Sequence, residues 1–110
     1  IYFDSIRQDP TRCQRSIVPL TALESDIAAN ELPDFSFIVP NICNSGHDCS
    51  SEIADQWLNG IVTRLQTSPA LGSNSLIVVT YDEGGEKNTG SCCGMDEKAG
   101  GQIATVFYRK

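Results

Sequence analysis

The run of apolar, largely β-branched residues at positions 76–79 constrains the fold of this chain most. It stands in the segment SLIVVTY, residues 75–81, and two carboxylates, Asp82 and Glu83, follow it directly. A short, near-continuous apolar run is typical of a strand that is covered on both faces, as in a parallel sheet. The segment therefore predicts a buried strand that ends at a pair of acidic side chains.

Other segments also have clear patterns. Residues 35–39 (FSFIV) are short, aromatic and β-branched and lie between two prolines, which predicts a second strand. Apolar residues recur every three or four positions in 19–30 and in 51–67, which predicts two amphipathic helices. Residues 102–108 predict a last strand. Polar and turn-forming residues predict loops at 1–16, 40–50 and 84–101.

The order of strand 35–39, helix 51–67 and strand 75–81 predicts a βαβ unit with parallel strands and a right-handed crossover. The expected fold class is therefore α/β with a mostly parallel sheet. Ligands of such sheets bind beyond the carboxyl ends of the strands, so the two loops that leave those ends should open on the same edge. The polar side chains expected to meet there are Asn41, Asn44, His47, Asp48, Asp82 and Glu83.

Amide, imidazole and carboxylate groups suit a divalent cation and an anionic substrate. Each group also has a plainer interpretation, because an acidic pair after a strand is often a solvated turn and a lone histidine such as His47 is often a surface residue. The spacing specifies no nucleophile, since no G-x-S-x-G motif is present. Two catalytic arrangements stay open. One is a Ser–His–Asp triad that uses His47 and an unidentified serine, and the other is a thiol nucleophile, Cys43 or Cys49, paired with His47.

Five cysteines in 110 residues indicate an oxidising compartment, and therefore secretion. Cys43 and Cys49 close a short loop and are the first expected disulfide. A zinc site that includes His47 is the alternative, although this spacing fits no standard zinc pattern. The odd number leaves one thiol over, or a partner outside this chain. The pairing of the remaining cysteines stays open: Cys13, Cys92 and Cys93.

The net charge of −6 and the absence of a basic patch argue against nucleic-acid binding. A phosphate ester is still compatible with an acidic chain when a metal ion reverses the local charge. No apolar run approaches the roughly 20 residues that a membrane span needs. No signal-peptide pattern and no initiator methionine are visible, so we expect residues 1–110 to be one domain or a fragment of a longer domain.

Five segments resemble, in order and spacing, the phosphoesterase family of acid phosphatases and phospholipases C, a branch of the alkaline phosphatase superfamily. They are residues 32–41 (LPDFSFIVPN), 44–49 (NSGHDC), 54–58 (ADQWL), 76–84 (LIVVTYDEG) and 100–106 (GGQIATV). The resemblance implies that these residues form the C-terminal part of an α/β/α sandwich around a mostly parallel sheet. It also implies hydrolysis of phosphate mono- or diesters through a serine or threonine nucleophile.

The resemblance implies a role for each matched residue. Asp82 and Glu83 would bind a divalent metal ion of unknown identity. His47 would contact the phosphate or assist the leaving group, and Asp48 would orient its imidazole. Asn41 and Asn44 are the expected substrate contacts. The nucleophile and the early Glu-Asn metal pair of the family are not in these residues, and a cysteine-rich loop stands where many relatives have histidines.

The leading hypothesis is therefore a fragment or reduced homologue of a secreted, metal-dependent phosphoesterase. The missing N-terminal half would supply the nucleophile. A non-enzymatic assembling or structural protein derived from the same fold is the alternative, because an isolated piece of a sheet exposes edges that invite self-association. A small disulfide-rich binding module is a third hypothesis, in which Asp82 and Glu83 are only turn residues.

Overall fold

The computed structural model describes residues 3–82 and 103–110, and the chain divides into two compact units, Ile1–Leu71 and Gly72–Lys110. The helices of the first unit are α1 (Asp4–Arg7), α2 (Pro10–Ser16), α3 (Thr21–Ala29) and α4 (Ser51–Thr67). The strands of the second unit are β1 (Leu76–Thr80) and β2 (Thr105–Arg109). The chain therefore contains both helices and strands. This confirms the predicted mixture of α and β structure.

Two short helices occupy the N-terminal segment for which the sequence predicted a loop. The Asp9 side chain caps α2 by accepting a hydrogen bond from the Arg12 N–H at 3.0 Å, and Pro10 takes the first helical position. A capping aspartate followed by proline begins a helix well, because proline has no N–H to lose there. The loop prediction was wrong because the same Asp-Pro pair is also typical of a turn.

Both longer helices were predicted correctly. Helix α4 has the predicted bounds, and α3 begins within the predicted segment and ends before Asn30. Asn30 adopts a left-handed backbone with φ of 61°. Asparagine tolerates that conformation better than most residues, so it ends the helix as predicted.

The apolar core of the described residues is small. Its buried members are Leu23 from α3 and Ala54, Ile61 and Leu65 from α4. No large side chain in the described part of the chain is more than 98% buried. An ion pair also joins the two helices, with 2.7 Å between Arg64 Nη1 and Glu24 Oε1. The four-residue spacing predicted a core-facing stripe from Ile53 to Leu65. Its members Ile61 and Leu65 are buried, whereas Ile53 is exposed and Ala54 is buried in its place.

The strand predicted at residues 35–39 is not formed. Phe35 and Phe37 are each 82% exposed, and Val39 is also exposed. A strand needs a partner to satisfy its backbone N–H and C=O groups, and none of the described residues pairs with this segment. The predicted βαβ unit is therefore wrong for the described part of the chain.

The sheet of the second unit is antiparallel instead of parallel. Leu76 lies opposite Arg109 and Thr80 opposite Thr105, with 2.9 Å between the two threonine hydroxyl oxygens. Strand β1 lies within its predicted segment, and β2 overlaps the predicted 102–108. The prediction that β1 is buried on both faces was wrong, because its residues alternate between exposed and half-buried in this two-stranded sheet. Both faces carry apolar side chains: Leu76, Val78 and Phe107 on one, and Ile77, Val79, Val106 and Tyr108 on the other. None of the helices in the described residues is long and apolar enough to cross a membrane.

Candidate active site

The loop 41–49, which precedes α4, carries four of the predicted site residues. A disulfide between Cys43 and Cys49 closes it, with 4.8 Å between the two Cα atoms. This confirms the disulfide expected from the sequence. It also removes both thiols as zinc ligands or nucleophiles, because each sulfur is bonded to the other. Cys13, in α2, is half-buried and forms no disulfide with any other cysteine of the described residues. Cys92 and Cys93 lie outside those residues.

Asn41 builds the first turn of this loop. Its side-chain Oδ1 accepts a hydrogen bond from the Asn44 N–H at 2.8 Å, and its carbonyl accepts one from the Ser45 N–H at 2.9 Å. An asparagine side chain that bonds to the backbone in this way mimics a turn. Asn41 therefore has a structural role, and the substrate contacts expected of Asn41 and Asn44 stay predictions.

Ser45 and Gly46 also shape the loop, although the sequence analysis gave them no role. The Ser45 hydroxyl donates to the Ile42 carbonyl at 2.9 Å and lies 3.4 Å from the His47 backbone nitrogen. Gly46 has φ of 84°, and a Cβ added to it would lie 3.6 Å from the Ala54 Cβ. The turn therefore lies against the start of α4. A Ser-Gly pair is a known turn signal and could have indicated this arrangement.

His47 and Asp48 form the contact on which the chemistry depends. The imidazole Nδ1 lies 2.7 Å from Asp48 Oδ1, and both side chains are largely exposed. A carboxylate at Nδ1 fixes the tautomer and the orientation of an imidazole, so proton exchange with a substrate would involve Nε2. The structure thus brings these two predicted residues together. Their catalytic roles stay predictions.

Asp82 follows β1 after one intervening residue and is exposed. Its predicted partner Glu83 lies outside the described residues. Within residues 3–82 and 103–110, no three His, Cys, Asp or Glu side chains gather closely enough to hold a metal ion. A carboxylate suits a hard divalent cation, so the donor chemistry at Asp82 fits. Of the two carboxylates predicted to bind the metal ion, only Asp82 lies within the described residues. Metal binding by Asp82 and Glu83 therefore stays a prediction.

Two loops open on the same sheet edge only if residues 35–39 form a strand parallel to β1. No such strand is present in the described residues, so the sheet does not bring loop 41–49 and Asp82 together there. His47 and Asp48 belong to the first unit and Asp82 to the second. Convergence of these side chains is therefore part of the functional proposal.

Comparison with known proteins shows a family match over most of the chain. The model of the phosphoesterase family matches residues 3–87. An acid phosphatase of Aspergillus niger is 32% identical over 91 residues, which are 83% of this chain and 22% of that protein. A phosphatidylinositol-3-phosphatase of Mycobacterium tuberculosis is 36% identical over 91 residues, which are 83% of this chain and 26% of that protein.

A phosphate-repressible acid phosphatase of Penicillium chrysogenum is 31% identical over 84 residues, which are 76% of this chain and 20% of that protein. The chain thus spans about a fifth to a quarter of the length of these curated relatives. No solved structure matches it. The extent of the family match shows that this chain belongs to the phosphoesterase family.

Proposed function

We propose that this chain supplies the histidine and part of the metal site of an enzyme that hydrolyses phosphate mono- or diesters. The observation that carries the proposal is the 2.7 Å contact between His47 Nδ1 and Asp48 Oδ1 in a loop closed by a disulfide. Family membership supports the reaction class, since the matched relatives are named as phosphatases.

His47 would act through Nε2. With Nδ1 donating to Asp48, Nε2 can give a hydrogen bond or a proton to a phosphoryl oxygen or to the departing alkoxide. Asp48 would keep the ring in one orientation, and its negative charge lies beside the ring when the ring is protonated. Asn41 and Asn44 would contact the substrate through the amide groups that the turn does not use.

A divalent cation bound by Asp82 and Glu83 would supply positive charge near the phosphoryl oxygens. Asp82 supports this proposal because it is an exposed carboxylate just beyond the end of β1. The nucleophile would be a serine or threonine from outside these 110 residues. The complete enzyme would form the α/β/α sandwich, in which residues 35–39 would pair as a strand. The Cys43–Cys49 disulfide supports an oxidising, extracellular location.

The test is hydrolysis of p-nitrophenyl phosphate by the natural protein with Mg²⁺, Ca²⁺, Mn²⁺ or Zn²⁺ added. His47→Ala should lower kcat by about 10²- to 10⁴-fold, the usual contribution of a general acid. Asp82→Asn should raise the metal concentration needed for half-maximal activity. Asp55→Asn is the matched control, because Asp55 is an exposed carboxylate on α4. An unchanged kcat in His47→Ala would reject the role of the histidine.

The 110-residue chain is expected to show no turnover by itself, since its nucleophile would lie elsewhere. Rapid turnover by this chain with added metal would refute that part of the proposal. The expected secreted location is tested separately by fractionation of the natural source. Recovery of the protein from the culture medium supports secretion, and recovery from the cell extract alone opposes it.

A second candidate function, self-association without catalysis, is favoured by the exposed apolar side chains. In the first unit Phe35 and Phe37 are exposed, and in the second unit Val106 and Phe107 are exposed. Exposed apolar segments with unpaired backbone groups invite pairing with other chains. Light scattering after size-exclusion chromatography of the natural protein separates the two functions. A large assembly favours association, and a single chain of several hundred residues opposes it.

A further inference from the structure

The side-chain amide of Asn41 is held in one orientation by loop 41–49. Its Oδ1 accepts a hydrogen bond from the Asn44 N–H at 2.8 Å. A backbone N–H can only donate, so the amide atom that faces it must be the oxygen and not the nitrogen. Because Oδ1 and Nδ2 diverge from the same planar carbon, Nδ2 is directed away from this hydrogen bond.

The Nδ2 group of Asn41 is available to a ligand. Asn41 is exposed, and among the described residues its hydrogen bonds use Oδ1 and the backbone carbonyl, whereas none uses Nδ2. Nδ2 carries two N–H donors. Two donors match the oxygens of a phosphoryl group, whereas hard metal ions take the oxygen of an amide.

Several bonds hold the loop that presents this amide. The Asn41 carbonyl accepts from the Ser45 N–H at 2.9 Å, and the Ser45 hydroxyl donates to the Ile42 carbonyl at 2.9 Å. The disulfide between Cys43 and Cys49 closes the same loop. A donor that is fixed before binding loses little conformational entropy when its ligand arrives, so a well-held loop favours recognition.

The loop also brings Asn41 next to the histidine in space. The Asp48 N–H donates to the Ile42 carbonyl at 3.3 Å. Asn41 directly precedes Ile42, and His47 directly precedes Asp48. The side chains of Asn41 and His47 therefore leave the backbone at neighbouring points of the loop.

We infer that Asn41 donates from Nδ2 to a phosphoryl oxygen of the substrate, and that the turn bond at Oδ1 fixes the direction of this donor. The inference rests on the proposed function and narrows it, because it gives Asn41 a contact with the phosphate group and not with the metal ion. Inorganic phosphate carries the same oxygens as the ester and is therefore a sufficient probe.

Titration calorimetry of inorganic phosphate into the natural protein, at one metal concentration throughout, measures this contact without turnover. Asn41→Asp keeps the turn acceptor, since aspartate forms the same turn, but puts a negative oxygen in place of the donor. The Kd for phosphate should rise about tenfold or more, because a hydrogen bond to a charged group is lost and a like charge replaces it. Asn41→Ser keeps a weaker turn acceptor without the charge and should raise Kd about three- to tenfold.

Asn59→Asp is the matched control, because Asn59 lies in α4, outside the loop, and the variant adds the same charge. Its Kd for phosphate should equal that of the parent. An unchanged Kd in Asn41→Asp overturns the inference. A rise in Asn41→Asp with none in Asn41→Ser also overturns it, since charge repulsion alone would explain that result. If Asn41→Asp lowers the metal concentration needed for half-maximal activity and leaves Kd unchanged, Oδ1 binds the metal ion and the inference is wrong.

Hydrolysis of p-nitrophenyl phosphate separates failure of this inference from failure of the proposed function. If His47→Ala lowers kcat but both Asn41 variants bind phosphate like the parent, the inference is wrong and the function stands. If both Asn41 variants weaken phosphate binding but His47→Ala keeps full kcat, the contact of Asn41 is correct and the proposed catalytic role of His47 is wrong.

Discussion

Replacing glycine by alanine at two positions of the first unit should change its stability in opposite directions. Gly46 has φ of 84°, in the left-handed region, where an L-residue costs about 1–2 kcal/mol. The nearest atom to an added Cβ is the Ala54 Cβ at 3.6 Å, an ordinary contact, so no steric cost is added. Alanine also restricts the unfolded chain, which offsets part of the cost. We expect Gly46→Ala to destabilise the unit by about 1 kcal/mol.

Gly60 is the matched control, because it lies inside α4 and an added Cβ there would meet nothing within 4 Å. Alanine in a helix interior is about 0.8–1.0 kcal/mol more favourable than glycine. Gly60→Ala should therefore stabilise the same unit. The two variants carry the same chemical change, so their difference of about 2 kcal/mol comes from backbone conformation alone.

Urea denaturation followed by tryptophan fluorescence measures both variants, since the single tryptophan, Trp57, lies in α4. With a denaturant slope of about 1–2 kcal/mol/M for a unit this small, the two midpoints should differ by about 1–2 M. A Gly46→Ala variant as stable as the parent would refute the left-handed turn at Gly46. A destabilised Gly60→Ala variant would mean that another group packs against that position.

Two further predictions concern the core and the ion pair of the first unit. Leu65→Ala should destabilise it by about 2–3 kcal/mol, at the lower end for a buried leucine because this small core can relax, whereas Ile53→Ala on the exposed side of α4 should cost clearly less. Thermal and urea unfolding of both variants would check this difference, and equal losses would contradict the assigned stripe. A double-mutant cycle on Arg64 and Glu24, which are half-exposed, should give a coupling of about 0.2–1 kcal/mol, and a coupling that does not weaken in high salt would contradict a surface ion pair.

Elements with a strong local signal were predictable from the sequence. The apolar spacing of α4 predicted its type and bounds, and the apolar run in residues 75–81 predicted the type and approximate position of β1. Helix α2 was missed because the Asp9-Pro10 pair is compatible with both a turn and a capped helix. Local chemistry alone does not decide between them.

The pairing of strands was not predictable, because it depends on partners distant in the sequence. Residues 35–39 have the composition of a strand, yet Phe35 and Phe37 are exposed and the segment is unpaired among the described residues. Strand β1 pairs with β2, at positions 105–109, in the antiparallel direction. The candidate site shows the same division between local and long-range structure. The disulfide and the His47–Asp48 contact are local and were anticipated. The predicted convergence of His47 with Asp82 depends on long-range structure and stays a proposal.

The short separation of Cys43 and Cys49 has a consequence for oxidative folding. The probability that two cysteines meet in an unfolded chain falls with the length of the loop that their bond closes. Cys13 lies thirty positions before Cys43, whereas Cys49 lies six positions after it. The effective concentration of Cys49 at Cys43 is therefore roughly tenfold higher than that of Cys13. We therefore expect the Cys43–Cys49 bond to form early in oxidative folding, before the helices and strands have assembled.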